Sequence, residues 1–408
     1  MGSGGWRGFP LFWAGRAASQ FGDEITFLAL PWLIVETTSS PLAVGLLQAF
    51  ALLPVIVLGL PLGALSDRRS RRRSMIEADL LRFGLLLSLP IAVATAGHAT
   101  VQHALAVAFV AGIGRALFDS SSQAFLADLV PMHQIVHANA RISATEGIAI
   151  VAGPSVAGVL IAAIGASGAL IVDSVTFLVA VASVALIYPV RERLGRSDGT
   201  LHASAREGLR FMNGHRQLRV LTTGLAAANL GSGIVGGLIV FFFQRTLSLA
   251  GWEAGLAYAA NGIGVLIASY VSVRVSNRHG FGRTVIVGLW STTCGFALLA
   301  LATRGSWVLF GAGGMAVLGF GVTVSVVASA SLRQRLVPAE MLGRVTAGYR
   351  IFVSGAMAVG AILGGLLGKF ASVRTAIAVA VVIYCIVAVC VSLSALNGPD
   401  APEVGGVN

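Results

Sequence analysis

Charge is scarce in this sequence. Asp, Glu, Lys and Arg together make 11% of 408 residues, against roughly 25% in soluble domains. That leaves too little to clothe a water-exposed surface and excludes a soluble globular protein. Lysine is nearly absent, Lys369 being the single one among 28 basic residues. A P-loop, G-x-x-x-x-G-K-[ST], therefore has one place to occur. There Leu363 replaces the first glycine and Phe370 follows the lysine, so ATP coupling through this motif is excluded. Cysteine numbers three, Cys294, Cys385 and Cys390, all inside apolar runs and at no zinc or redox spacing. They read as small packing residues. There is no H-E-x-x-H or EF-hand pattern, and His133 and His137 stand four apart with no third ligand. No metal or cofactor is expected, and with no nucleophile–base constellation the chain is not expected to be an enzyme. The opening MGSGGWRGFP has no small-residue cleavage site, and Trp6 stands where myristoylation wants Ser or Thr, so neither a cleaved leader nor a lipid anchor is expected.

Apolar residues are abundant, at 56%, with 51 glycines. Apolar runs broken by turn or charge signals predict twelve membrane spans: 11–36, 41–66, 74–97, 101–127, 138–164, 167–189, 218–246, 252–276, 283–303, 305–332, 343–369 and 372–396. With the N-terminus in the cytosol, the inner connections hold Arg68, Arg69, Arg71, Arg72, Arg73, the arginines from Arg191 to Arg219, and Arg274, Arg278, Arg283, Arg333, Arg335 and Arg344. The outer ones hold Arg245, Arg304, Lys369 and Arg374. This asymmetry predicts a multi-pass protein of the cell membrane with both termini cytoplasmic. The net charge of +11 is then read as attraction to the anionic inner leaflet rather than to nucleic acid. The expected organisation is a bundle over 1–189, a cytosolic linker over 190–217 with a basic amphipathic helix lying on the membrane, a bundle over 218–396 and a tail over 397–408.

The two halves repeat. Ser66-Asp67-Arg68-Arg69 continuing to Arg73 corresponds to Ser276-Asn277-Arg278-His279 continuing to Arg283, an offset of 210; Leu129-Val130-Pro131 corresponds to Leu336-Val337-Pro338, an offset of 207. At the second offset Gly153 and Gly158 meet Gly360 and Gly365. Two parallel six-span halves with a path between them suit an alternating-access transporter.

Several motifs carry a family resemblance. Gly63-Ala64-Leu65-Ser66-Asp67-Arg68-Arg69-Ser70-Arg71-Arg72 resembles the loop motif G-x-L-x-D-R-x-G-R-R of the major facilitator superfamily, with Ser70 in place of the glycine. Gly114-Arg115 resembles its membrane-embedded arginine motif. Gly153-Pro154-Ser155-Val156-Ala157-Gly158 is similar to its antiporter element G-P-x-x-G-G, with Ala157 in place of the first glycine of the final pair. The run from Ser121 to Pro131, and Gln334 to Pro338 followed by Leu342-Gly343-Arg344-Val345, are similar to the drug:proton antiporter branch that holds macrolide efflux proteins and enterobactin exporters. The resemblance implies an all-α membrane fold of twelve helices in two pseudo-symmetric bundles, and a monomer. It also implies a cytosolic gate of Gly63, Asp67, Arg68, Arg72 and Asp128, in which Arg68 pairs with Asp128 and Asp67 faces a helix N-terminus. For Gly153, Pro154 and Gly158, close helix packing and a role in limiting leak both stay open.

Ionisable residues at mid-bilayer cost ~2.5–3.5 kcal/mol each and are functional candidates. Asp23 and Arg115 both fall near the middle of their spans. Arg16, Gln20 and Asp23 share one helix face, as do Arg115, Asp119 and Ser122, so both stripes are expected to face an interior cavity. Asp23, with Glu24 beside it, is the expected proton-binding site, Arg115 the switch that favours or releases its charge, and Asp119 and Glu146 further coupling candidates. The alternative is a permanent Arg115–Asp119 pair that only holds the bundle together. Asp79 and Arg82 read as a structural pair near the inner end of span 3, Asp173 as a shallow outer residue without a role, and Phe241-Phe242-Phe243 as lipid-facing. In the second half, where Arg350 is the one ionisable residue well inside a span, Asn229, Gln244, Tyr258 and Asn261 are candidate substrate contacts, as is Gln20 in the first half. The function these readings predict is proton-coupled export of a small apolar or amphipathic compound (drug, antibiotic or siderophore). A proton-independent facilitator or uptake carrier, and a non-transporting scaffold or sensor, are the alternatives.

Overall fold

A computed structural model describes residues 4–187, 207, 210–394 and 396, and their side chains except at 4–7, 59–61, 63–68, 339 and 347. The expected tail 397–408 lies outside the described residues, as does the expected linker 190–217 apart from 207 and 210–217. The chain is all helix: α1 (Gly4–Thr37), α2 (Pro41–Arg68), α3 (Arg71–Ala96), α4 (Val101–Leu129), α5 (Ile135–Ala185), α6 (Arg216–Gly236), α7 (Gly251–His279), α8 (Phe281–Leu301), α9 (Gly313–Leu336), α10 (Ala339–Phe370) and α11 (Val373–Ser392). Among the described residues ten helical stretches are long and apolar enough to cross a membrane. Two features bring the passes to twelve. α5 is 51 residues long and breaks at Gly165, whose φ of 75° suits glycine, so it makes two limbs. α1 also has the length to span, at 34 residues, and dilutes its apolar run with Arg16, Asp23 and Glu24.

Local chemistry sets the helix ends. Ser70 accepts from the Arg73 amide to start α3, Thr100 from His103 to start α4, and Ser372 from Thr375 to start α11. Gly97, at φ 77°, closes α3, and Gly280, at φ 88°, turns α7 into α8. α6 loosens at its far end into a π turn, Phe242–Thr246.

Packing divides the chain into two units. Unit 1 takes residues 1–39, 50–198 and 250–255; unit 2 takes 40–49, 199–249 and 256–408. In unit 1, α1 packs along α5, and α3 against both α4 and α5; in unit 2, α6 packs along α10 and α11, and α8 against both α9 and α11. The scheme is the same once α5 is counted as two limbs, which is the sequence repeat expressed as packing. The glycines of the repeat make it possible. A Cβ on Gly158 would lie 2.5 Å from the Gly251 carbonyl oxygen and 2.6 Å from the Gly255 Cα, within unit 1. A Cβ on Gly365 would lie 3.0 Å from the Leu42 Cα, and one on Gly45 would lie 2.8 Å from the Gly365 Cα, within unit 2. The two crossings are related by the same offsets as the motifs, and helix backbones touch at each. At the end of the linker, Met212 is buried with Leu218, Val337 and Val345, and Arg344 donates to Glu207 at 2.8 Å.

Candidate functional site

Unit 1 gathers the ionisable residues of its spans into one polar seam. Asp23 on α1 is its centre: the Asp23 carboxylate accepts from Arg82 of α3 and lies 3.8 Å from Arg115 Nη1 of α4. Arg115 Nε is 3.9 Å from Asp119, one turn on. The expected meeting of Asp23, Arg115 and Asp119 therefore occurs, with Arg115 46% and Asp119 53% exposed while the Asp23 side chain is 12% exposed. Two turns earlier on α1, Arg16 donates to Glu146 on the first limb of α5 at 2.6 Å and to Ser122 on α4. Glu146 is thus joined to the seam through Arg16 and not through Asp119. Trp13 donates to Thr145 at 2.9 Å beside it.

Glu24 lies one helical step round α1 from Asp23. Gln20 donates to it at 3.3 Å, and a Cβ on Gly153 would sit 2.3 Å from the Glu24 Cβ. Gly153 is therefore glycine so that α1 and α5 can close around this side chain, and Pro154 follows it in the interior of α5.

The structure changes or extends several readings from the sequence. Arg82 is not merely the structural partner of Asp79. It reaches Asp79 at 3.4 Å and also bonds Asp23, closer than Arg115 comes. α3 begins at Arg71, so Arg82 is eleven residues in, about 16 Å along the helix. Asp173, to which the sequence assigned no role, is fully buried and accepts from Thr26 and from Thr176 at 3.1 Å. A Cβ on Gly22 would meet its carboxylate at 2.0 Å, so Gly22 clears space for it. Asp128 is bound by Arg71, which opens α3 directly against α4 and also donates to Ala124 O at 3.1 Å; the expected pairing with Arg68 falls on a side chain outside the described residues. Phe241, Phe242 and Phe243 are buried rather than lipid-facing, Phe243 lying edge-on to Tyr258 at 6.1 Å. Cys294 and Cys390, read as packing residues, are exposed.

The gate motif is described in part. Arg72 donates to the carbonyls of Val184, at 3.2 Å, and Ala185, satisfying the last turn of α5. The side chains of Gly63, Asp67 and Arg68 lie outside the described residues.

In unit 2 the amide of Asn229 donates to Leu225 O within its own helix, and that of Asn261 to Met315 O on α9, both at 2.9 Å. The Gln244 Oε1 is buried without a hydrogen-bond partner. Tyr258 is buried. The structure does not bring these four into one cluster comparable to the seam in unit 1.

The profile of a family described as "Transmembrane secretion effector" matches residues 6–405. Among curated relatives, macrolide efflux protein A of Streptococcus pyogenes is 25% identical over 217 residues, covering 52% of this chain and 53% of that protein. The multidrug efflux pump Tap of Mycolicibacterium fortuitum is 27% identical over 202 residues, 47% of this chain and 48% of that one. The chain thus spans about half the length of these relatives. Among solved structures, the nucleoside transporter NupG superposes with a TM-score of 0.76 at 12% identity, over 94% of this chain and 98% of that one, which speaks to the fold alone.

Proposed function

The chain belongs to the transmembrane secretion effector family of the major facilitator superfamily, and on that premise we propose that it exports a small apolar or amphipathic compound in exchange for protons by alternating access. The observation that carries the reading is Asp23, a carboxylate halfway along α1, held between Arg82 and Arg115. A charge at that depth is costly to insert and is retained where it does work. A carboxylate flanked by guanidiniums can exist charged and paired, or protonated and released, and the difference favours one arrangement of the helices over another. Glu24, lodged against the Gly153–Pro154 element, is a second acceptor on the same helix. Export rather than uptake is supported by the relatives named for macrolide and multidrug efflux.

The remaining parts of the proposal follow from charge. The cell membrane is its location, and the arginine-rich connections put both termini in the cytoplasm, facing anionic lipid. The gate formed by the segment from Gly63 to Arg72 with Asp128 then lies on the cytosolic side. The chain works as a monomer.

Flux in proteoliposomes with an imposed pH gradient tests the reading, with ethidium and a labelled macrolide as probes. A gradient-driven flux that Asp23→Asn and Glu24→Gln abolish is the expected result, and flux unchanged by both substitutions removes the proton site. Flux indifferent to the gradient favours a facilitator, and failure of either probe to move or bind favours the scaffold or sensor reading.

A further inference from the structure

Where α1, α3, α4 and the second limb of α5 meet, two carboxylates, Asp23 and Asp79, share one enclosed guanidinium, with a third, Asp173, buried nearby. Asp79 is 1% exposed, Asp173 0% and Arg82 3%. Arg82 holds Asp23 through Nη2 and Asp79 through Nη1, its guanidinium carbon lies 4.1 Å over the Phe177 ring, and its Nε has no hydrogen-bond partner. Its stem runs against Gly114, where a Cβ would lie 2.9 Å from the Arg82 Cγ.

A guanidinium is a planar fork that can serve two carboxylates at once, and its bonds to anions are roughly twice as strong as neutral ones. Arg82 has one prong on α1 and the other on its own helix. When Asp23 is charged, the prong on Asp23 ties α1 to α3. A proton on Asp23 weakens that prong to a neutral hydrogen bond, while Asp79, three residues away on the same helix, stays within reach of the other prong. The Phe177 face attracts the cation while it lies over the ring. Arg115, 46% exposed and 3.8 Å from Asp23, is the weaker partner.

We propose that Arg82, rather than Arg115, is the counter-ion that answers proton loading at Asp23, with Asp79 as its fallback partner, so that the proton releases α1 from α3. This rests on Asp23 being the proton site. The other groups facing it have separate engagements. Asp173, from the second limb of α5, is held by Thr26 and Thr176; Asp119, from α4, by Arg115; Glu24, on α1 itself, by Gln20.

Infrared difference spectroscopy of the full chain in nanodiscs reads the proton directly, as the carbonyl stretch of a protonated carboxylic acid titrated against pH. The expected pattern begins with a titrating band that Asp23→Asn removes. Arg82→Lys, which keeps the charge but loses the fork, moves its midpoint by at least about one pH unit, tenfold in proton affinity. Arg115→Lys moves it by less than about 0.3 units, as for an exposed pair. Asp79→Asn, which removes the fallback partner and conserves the fold if Arg82→Lys does not, moves the midpoint to lower pH. An Arg115→Lys shift as large as that of Arg82→Lys, or an Asp79→Asn midpoint equal to that of the unmodified chain, overturns the role of Arg82 and leaves the Asp23 site standing. A band that survives Asp23→Asn, or no titrating band at all, overturns both.

Discussion

Removal of the Arg71 side chain is the perturbation whose cost the structure lets one work out most directly. The Arg71 and Asp128 side chains are 11% and 6% exposed and form an ion pair between α3 and α4. Truncation in Arg71→Ala leaves the carboxylate in place without its cation. Breaking one side of a buried pair costs about 3–5 kcal/mol, and losing the bond to Ala124 O adds about 1 kcal/mol. The neighbouring Arg73 is exposed, so Arg73→Ala should stay within about 0.5 kcal/mol. The double substitution Arg71→Met/Asp128→Leu strands no charge and should cost less than Arg71→Ala alone. The cycle of Arg71→Met, Asp128→Leu and their double should then give a coupling of about 2–3 kcal/mol. Unfolding of the purified protein in detergent, followed by tryptophan fluorescence, measures every variant. If Arg71→Ala falls within about 1 kcal/mol of Arg73→Ala, or the double variant loses the sum of the two singles, Arg71 is not the partner that Asp128 depends on and the reasoning is wrong.

Two further outcomes are expected from the glycines. Gly158→Val should destabilise by about 1–3 kcal/mol, since even its Cβ would come within 2.6 Å of neighbouring backbone, whereas Gly84→Ala, with nothing within 4 Å, should be neutral or stabilising. Thermal unfolding of the two side by side checks this, and equal melting temperatures would contradict it. Gly22→Ala should displace the Asp173 carboxylate and break its bonds to Thr26 and Thr176, costing about 3 kcal/mol. Gly22→Ala combined with Asp173→Ala should recover part of that loss in the same measurement.

Much of the architecture was legible in the linear pattern. A membrane span needs ~20 apolar residues in a row, which is a local property. Hence the starts expected at 41 and 101 coincide with α2 and α4, and the break between spans five and six falls at Gly165. α1 begins at Gly4, before the expected residue 11, because the residues ahead of the apolar run are compatible with helix without being hydrophobic. The repeat was legible too: Gly153 and Gly360 each make room for the partner helix α1 or α6, and Gly158 and Gly365 for α7 or α2. The stripes on α1 and α4 were readable because helical periodicity places Arg16, Gln20 and Asp23 on one face.

What the sequence determined by itself, then, is the class of protein, the helices and their order, the duplication and the presence of costly charges in the membrane. Tertiary structure alone decided the partners. Periodicity orients a side chain about its own helix axis but says nothing of how a neighbouring helix is rotated or shifted along it. The linear pattern therefore named Arg115 as the companion of Asp23 and left Arg82 to Asp79, until packing placed Arg82 inside against Asp23 and Arg115 half outside. Asp173 had no role until Gly22 let the second limb of α5 approach α1. Asp128 went to Arg71 because of where α3 begins relative to α4. Electrostatic pairing falls off within a few ångströms, and distances that short are fixed only when helices pack.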